Sequence, residues 1–536
     1  MEQSPELTSD APHPAGYILG IDHGTSGVKV ALVTVEGQVV ASGYEPTSMH
    51  LLPGGGAEQD PQDWWRALTT AVRRMISGAG VRREELLAIA VSSTFSTTVA
   101  VDAWGQPLLP ALTWMDSRGA PIIQKIMGGF PSIDGYWIPG VLQWIGITGG
   151  GPELSGKDDI AHVLYVKHQH PEIYDKTYKF LGSKDYLNLR LTGEFAASVD
   201  SIMLFWVTDT RDINNVHYSE RLIRRLQIDR EKLPELKSAT TRLGVLQAEA
   251  AADLGLNPGV PVFVSSPDHQ TALVGSGAVR DFEGHICVGT SSWVECIVPF
   301  KKTDLFHSIA SLPAAIPGRY QCINEQDIAG GVLPWLANNF LYHRNELRDQ
   351  APPEDIYSLL DAIAGRVPPG SDKVLFAPWL NGERSPVDDN QVRGALFNLS
   401  LHSNLDHVVR AFFEGVAFNT RWNMVYVEKF AGRRMDPYHL VGGGAKSKVW
   451  CQIYADVLNR TMRQVKDPMW ANARGAALIA AVGLGRISFE DIPGLTRFEG
   501  EYTPNPSNRG LYDGMFEEFV HLYHANRRIF ERLNRQ

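Results

Sequence analysis

The residues of this 536-residue chain best suited to chemistry are two Gly-Thr-Ser turns and an aspartate that ends an apolar strand. The first turn, Gly24-Thr25-Ser26-Gly27, sits between two apolar runs within Tyr17 to Leu32. Such a turn offers free backbone N–H groups and two hydroxyls, and Lys29 adds a cation, a combination that suits a phosphate chain. Asp22, at the mouth of the first strand, suits a hydrated Mg²⁺. On these residues alone a plain β-hairpin reads equally well. The pattern recurs, however, in GHICVGTSSWVECIV, where Gly289-Thr290-Ser291-Ser292 again separates two apolar strands. A repeated turn of this kind indicates an internal duplication, and so two similar domains facing one nucleotide. A third Gly-rich turn, Gly442 to Ser447, precedes a helix, whose first amides are anion donors.

Asp268 follows the apolar strand Val260 to Ser265 and lies between Pro267 and His269, just before the second domain. Phosphoryl transfer needs a base for the attacking hydroxyl, and Asp268 is the best candidate. The competing reading is an N-cap for the helix that begins near Gln270. His269 reads first as a packing or hydrogen-bonding residue, with substrate contact as the alternative.

Composition narrows the field. A net charge of −10 argues against nucleic-acid and anionic-membrane partners, though not against ATP. Cys287, Cys296, Cys322 and Cys451 form no C-x-x-C pair, which disfavours zinc and dithiol chemistry and fits a reducing cytoplasm. Residues 1–16 are acidic and Pro-rich, with no apolar h-region, and read as a disordered tail. The most apolar stretch, Gly475 to Gly485, is too short to span a bilayer. Gly151 to Asp158 matches G-x4-G-K but offers Asp where a P-loop needs Ser or Thr, and no strand-to-helix junction carries G-x-G-x-x-G.

The elements that must position these residues read as α/β. The first hundred residues read β-β-β-α-β with a further strand. Asp60-Pro61 is a helix start, as an N-cap acid with proline at N1. Lys184 opens a helix that Gly193 ends, and Asp159 to His168 is another. Arg211 to Leu254 reads as polar and helix-rich. Arg280 to Glu283 reads as a hinge. Later helices are expected at Ala329 to Tyr342, Leu405 to Phe430, Trp450 to Leu458, Ala471 to Val482 and about Phe516 to Leu533, with Thr503 to Ser507 as a linker.

Several motifs stand in a telling order: Gly20-Ile-Asp-His-Gly-Thr-Ser26, Glu58-Gln-Asp-Pro61, Trp114-Met-Asp-Ser-Arg118, Lys184-Asp-Tyr-Leu187, Leu191-Thr-Gly-Glu194, Asp268-His-Gln270, Gly289-Thr-Ser291 and Gly442 to Ser447. Together they resemble the FGGY carbohydrate kinases over about residues 17 to 490, with the likeness greatest to xylulokinases. Gly394 to Leu399 followed by the helix at Asp406 to Glu414 is similar to that family's C-terminal signature, with Asn398 where glycine is usual. The resemblance implies two actin-like (ribonuclease H-like) ATPase domains around a central cleft. These are an N-terminal sugar-side domain at 17–280, a C-terminal ATP-side domain at 284–495 and a C-terminal helix at 508–536. It implies Asp268 as catalytic base, and it assigns Gly24, Thr25, Ser26, Lys29, Gly289 and Thr290 to the ATP phosphates. Gly330, Gly443, Gly444 and Ser447 would frame the nucleoside, and Asp22 would hold Mg²⁺ through water. A homodimer is a family-level expectation.

One departure concerns the acceptor. Where xylulokinases carry Met-His and glycerol kinases Arg-Glu, this chain has Phe95-Ser96. Phe95 reads equally as a sugar-packing or a core residue. The expected activity is ATP-dependent phosphorylation of a small sugar or polyol, with a pentulose such as xylulose first and ribulose, glycerol or erythritol as alternatives. An actin-like nucleotide sensor without kinase activity is the reading from another class.

Overall fold

The computed structural model describes residues 16–345 and 351–534. The disordered tail expected at residues 1–16 therefore lies, but for its last residue, outside the described residues. Two sheets organise the chain. The first runs in the order Arg242–Val245, Pro261–Phe263, Leu86–Ser93, Tyr17–Gly24, Gly27–Thr34, Val39–Pro46. Its last three strands are antiparallel neighbours, whereas Tyr17–Gly24, Leu86–Ser93 and Pro261–Phe263 run parallel. The second sheet has eight strands, and six of them repeat this plan. Tyr320–Ile323, Ser292–Val298 and Gly284–Val288 are antiparallel neighbours. Gly284–Val288, Tyr438–Val441 and Met462–Val465 are parallel, and the strand Phe498–Tyr502 lies antiparallel beside them. The duplication inferred from two turns is thus a duplication of sheet topology.

The strands are built as buried-sheet sequences should be. Ile18, Leu19, Ile21, Val28, Val30, Ala31, Leu32 and Val33 are buried, so both faces of the first hairpin are covered. On one face lies the helix Pro61–Ala79, capped by Asp60 through Gln62 N–H at 2.9 Å with proline in its first turn, as its sequence predicts. Trp64, Leu68, Ala71 and Val72 of that helix join the strands in one core. On the other face lies the helix Ala471–Gly483, whose Ala473, Ala476, Ala477 and Ala480 pack on Ile18, Ala31, Ala88 and Phe263.

That last helix comes from the C-terminal half of the chain yet covers the N-terminal sheet. It also meets the helix Asp268–Ser276 backbone to backbone. A Cβ on Gly475 would stand 1.8 Å from the Thr271 carbonyl oxygen, and one on Gly275 would stand 1.9 Å from that of Ala471. Only glycine permits this approach. The two helices form a shared seam between the sheets, so packing runs on across the cut expected at 280–284. Among the described residues no helix is long and apolar enough to cross a membrane.

Most expected helices are present, including Asp159–Gln169, Ser183–Thr192 with Gly193 at its C-cap, Leu405–Ala431 and Lys448–Leu458. Three expectations need correction. The stretch expected to be helix-rich at Arg211 to Leu254 holds only the short helices Glu220–Leu226 and Ala248–Leu254 among brief strands and turns. Its charge pattern marked exposure, not helix. The helix expected from Ala329 starts at Val332 and gives way at Ala337–Leu341 to a wider turn. The last helix starts at Arg509, seven residues before Phe516. Asn398, standing where glycine is usual in the family, has φ 64°, a left-handed conformation that asparagine tolerates best after glycine.

Candidate active site

Strand alternation places Asp22 at the cleft end of the first hairpin, directly opposite Lys29 in the ladder. Lys29 Nζ donates to Asp22 Oδ2 at 3.1 Å, and the neighbouring carboxylate raises the lysine's pKa. Asn472, from the first turn of the seam helix, reaches Asp22 Oδ1 at 3.4 Å. Lys29, expected on a phosphate chain, is therefore already ion-paired and would turn to a phosphate while keeping or exchanging that partner. The turn itself is fixed from outside. Gln59 Nε2 donates to Thr25 O at 2.9 Å, Trp114 Nε1 donates to Thr25 Oγ1 at 2.9 Å, and Tyr44 OH donates to Ser26 O at 2.8 Å. Because Thr25 Oγ1 accepts from the indole, its own hydrogen is left to donate elsewhere. Ser26 is exposed and Gly24 half-buried.

The second turn is held by its own domain. Ala329 N donates to Thr290 O at 2.7 Å and Gly330 N to Gly289 O at 2.8 Å. A Cβ on Gly330 would lie 2.6 Å from the Gly289 carbonyl oxygen, so this glycine is required for the contact. Gly443 and Gly444 lie in a short 3-10 turn at the end of Tyr438–Val441. Ser447 caps the next helix by accepting from Trp450 N at 2.8 Å, and its hydroxyl donates to Asp361. Ser447 thus has a structural task in addition to any contact with a nucleoside.

Asp268 is the first residue of its helix and not its N-cap, a place taken by Pro267, and its carboxylate accepts from His269 N–H at 2.9 Å. Burial pushes its carboxyl up to about 7; His269 opposes this, and Asp22 and Glu325 add to it. A carboxylate of that basicity near neutral pH is suited to take a proton from an alcohol. Asp268, Lys29, Glu295 and Asp22 all act electrostatically on the buried thiol of Cys287, so the two hairpins and the candidate base converge on one place.

His269 lies in an aromatic slot. Its ring stacks on Trp293 at 4.2 Å between centroids and meets Phe95 edge-on at 5.5 Å. Phe95 is half-buried and lines this slot, so it is not a core residue. Ser96 differs from expectation. It is buried with φ 53°, and its hydroxyl donates to Lys157 O at 2.6 Å, which pins the loop instead of facing an acceptor.

Sequence reasoning missed two groups here. Glu295 is fully buried and accepts from His269 Nδ1 at 2.7 Å and from Gln321 Nε2 at 2.7 Å. The signal was present, because Glu295 stands directly opposite His285 in the second hairpin. The other group lies in the singled-out segment FAPWLNGERSP. Arg384 donates to Glu325 and stands 3.5 Å from Asp327, a charge cluster whose Glu325 reaches both Asp268 and His269 electrostatically.

The donor set fits Mg²⁺. Among the described residues no group of three His, Cys, Asp or Glu forms a closed metal cage. Mg²⁺ in phosphoryl-transfer sites needs one or two carboxylates, waters and substrate phosphates, and Asp22 beside the Gly24 to Gly27 turn offers such a carboxylate.

Comparison with known proteins agrees with this geometry. The profile for the FGGY family of carbohydrate kinases, N-terminal domain, matches residues 17–275, and that for its C-terminal domain matches residues 284–484. The chain is similar to a xylulose kinase of Lactococcus lactis, 28% identical over 528 residues, covering 96% of this chain and 98% of that protein. A gluconokinase of Bacillus subtilis is 25% identical over 508 residues, covering 94% and 95%. In fold, the chain resembles a solved xylulose kinase from Lactobacillus acidophilus with a TM-score of 0.82 at 23% identity, covering 97% of this chain and all of that one. With both family domains matched in order over most of its length, the chain belongs to the FGGY family of carbohydrate kinases, sugar-phosphorylating enzymes that use ATP, and has their two-domain actin-like fold.

Proposed function

We propose that this enzyme transfers the γ-phosphate of ATP to a hydroxyl of a small sugar or polyol, with a pentulose such as xylulose first in line and Asp268 as general base. The carrying observation is a half-buried carboxylate, its pKa pushed up to about 7, at the point where the two hairpins converge. Asp268 takes the proton of the acceptor hydroxyl as its oxygen attacks the γ-phosphorus, and ADP leaves with the electron pair of the broken P–O bond. Backbone N–H groups of Gly24 to Ser26 and of Thr290, with the Thr25 and Thr290 hydroxyls and Lys29, hold the phosphate charge, while Gly289, whose N–H donates to Ser291 O at 3.0 Å, shapes the second turn. Gly330, Gly443, Gly444 and Ser447 frame the nucleoside. Asp22 would hold Mg²⁺ through water; when bound, the ion neutralises phosphate charge. Phe95 and His269 line the acceptor side.

Xylulose is favoured by the overall likeness to the Lactococcus xylulose kinase. A second acceptor class, a sugar acid such as gluconate, is favoured by His269, whose imidazole Glu295 lifts to about 9, and by the Bacillus gluconokinase relative. ADP release measured over pentuloses, polyols, glycerol and gluconate decides between them, and no acceptor-dependent release from any of these would sink the kinase reading for this chain. Asp268→Asn is expected to lower kcat by about 10²–10⁴-fold, the usual worth of a placed base, with ATP affinity within a few fold. Near wild-type turnover in that variant would remove Asp268 from the role.

A further inference from the structure

Glu295 has no part in the phosphate binding or proton abstraction proposed above, yet it is fully buried with three nitrogen partners. It sits in the middle of an all-buried strand, Ser292–Val298. His269 Nδ1 lies 2.7 Å from Oε1, Gln321 Nε2 donates to Oε2 at 2.7 Å, and His285 Nε2 lies 3.3 Å from Oε2. Three nitrogen donors around one carboxylate keep it ionised. An ionised Glu295 can only accept, so His269 Nδ1 must carry a proton. Gln321 Nε2 also donates to the His269 carbonyl oxygen at 3.1 Å, which ties the histidine's backbone to the same carboxylate.

The other ring nitrogen is left over. Nε2 has no protein partner among the described residues, and it is not one of the buried unpartnered atoms, so it reaches the cleft. The aromatic slot fixes its direction, with Trp293 flat against one face and Phe95 at the edge. An aromatic face also favours a cationic ring over a neutral one. We propose that Glu295 is a positioning residue of the acceptor site, holding His269 as an imidazolium whose Nε2–H is a standing, charged hydrogen-bond donor to an oxygen of the phosphoryl acceptor beside Asp268.

The charged surroundings support this assignment. Facing His269 are Glu295 and His285 from the second hairpin, Asp268 from its own helix, and Glu325 from the strand end after Ile323. Burial alone would lower the imidazole's pKa, and the three carboxylates, Glu295 foremost, reverse this and lift it to about 9. His285 is fully buried with Nδ1 unpartnered, which suits a neutral ring donating through Nε2. The cation therefore belongs to His269. A charged donor discriminates more strongly than a neutral one, since charged hydrogen bonds are roughly twice as strong. Its targets are a ketose carbonyl or hydroxyl oxygen, or the carboxylate of a sugar acid.

The inference rests on the acceptor-site reading above, so the first measurement is made without any substrate. In protein labelled at histidine Cε1, the His269 resonance is identified by its loss in His269→Gln and followed against pH. The expected midpoint is well above neutrality, and it falls by roughly two units or more in Glu295→Gln, where only Asp268 and Glu325 are left to oppose burial. A wild-type midpoint at or below that of a free histidine overturns the proposal, whatever the enzyme's substrate. The second measurement is kinetic, on the acceptor found by the screen. At pH 7, Glu295→Gln should raise the acceptor KM about tenfold with the ATP KM unchanged, the worth of one charged hydrogen bond. Glu295→Asp, which keeps the charge, should recover most of the loss. Equal damage to both KM values, or no rescue by aspartate, would mean that Glu295 only supports the fold. If Glu295→Gln does not fold, the wild-type titration and the KM split in His269→Gln still decide the matter.

Discussion

The two hairpins at the cleft have the same turn and different chemistry. In both, a Gly-Thr-Ser sequence joins antiparallel strands at the centre of a sheet with the same strand order. Two residues before the turn glycine, the first hairpin has Asp22 and the second has Cys287. Asp22 is paired across the ladder with Lys29, and Cys287 with Trp293. The first hairpin thus presents a carboxylate and an ammonium to the cleft. The second keeps its own hydrogen-bonded pair, His285 and Glu295, wholly inside and presents an aromatic face. The duplication preserved the turn backbone, and the side chains beside it diverged into a carboxylate–ammonium pair in one hairpin and an aromatic face against His269 in the other.

That contrast can be broken in order of expected effect. Asp22→Asn should cost about 10²–10³ in kcat, the scale of losing one electrostatic stabiliser of the transferring phosphoryl group. The matching change in the second hairpin, Cys287→Ala, should stay within about threefold, since a thiol held protonated by burial carries no charge to lose. Equal losses in coupled ADP-release assays would show that the two jaws are functionally alike. Next in size is the pH dependence. Burial raises the Asp268 carboxyl to about 7, so the group is protonated below that pH and cannot accept the acceptor's proton. The rate constant kcat/KM should therefore fall about tenfold per unit as pH drops through and below 7, and a limb near the ordinary carboxylate range of about 4 would refute the buried-base picture. Smallest is Trp293→Leu, which removes the face beneath His269. It should raise the acceptor KM by about three- to tenfold and leave the ATP KM alone, in line with the worth of a cation–π contact.

How far the sequence spoke depended on the range of the interactions. Local signals held: the Asp60-Pro61 start, the Gly193 stop and both turns follow from backbone chemistry within a few residues. Asp268 stood out as the candidate base because it sits at a strand-to-helix junction. The N-cap alternative was removed only by coordinates, which put Pro267 at the cap. Ser96 was misread because its partner, Lys157 O, lies 61 positions away. Glu295 was overlooked because its link to His269 crosses from one domain's helix to the other's strand, although the ladder opposite His285 could have exposed it. The seam helix was expected as a close packer, but nothing in its own residues says that it would lie on the first domain's sheet.

The glycine seam has a mechanical consequence. Most helix pairs interlock through side-chain ridges and grooves, and turning one against the other means lifting knobs from holes. Where Gly275 and Gly475 touch, there is nothing to lift. The contact instead sets the Asp268 helix and the helix carrying Asn472 at backbone distance, and Arg474 Nη1 fastens it by donating to Gly275 O at 3.2 Å. A Cβ at either glycine would act as a wedge, prising the two helices apart without touching a single atom of the cleft.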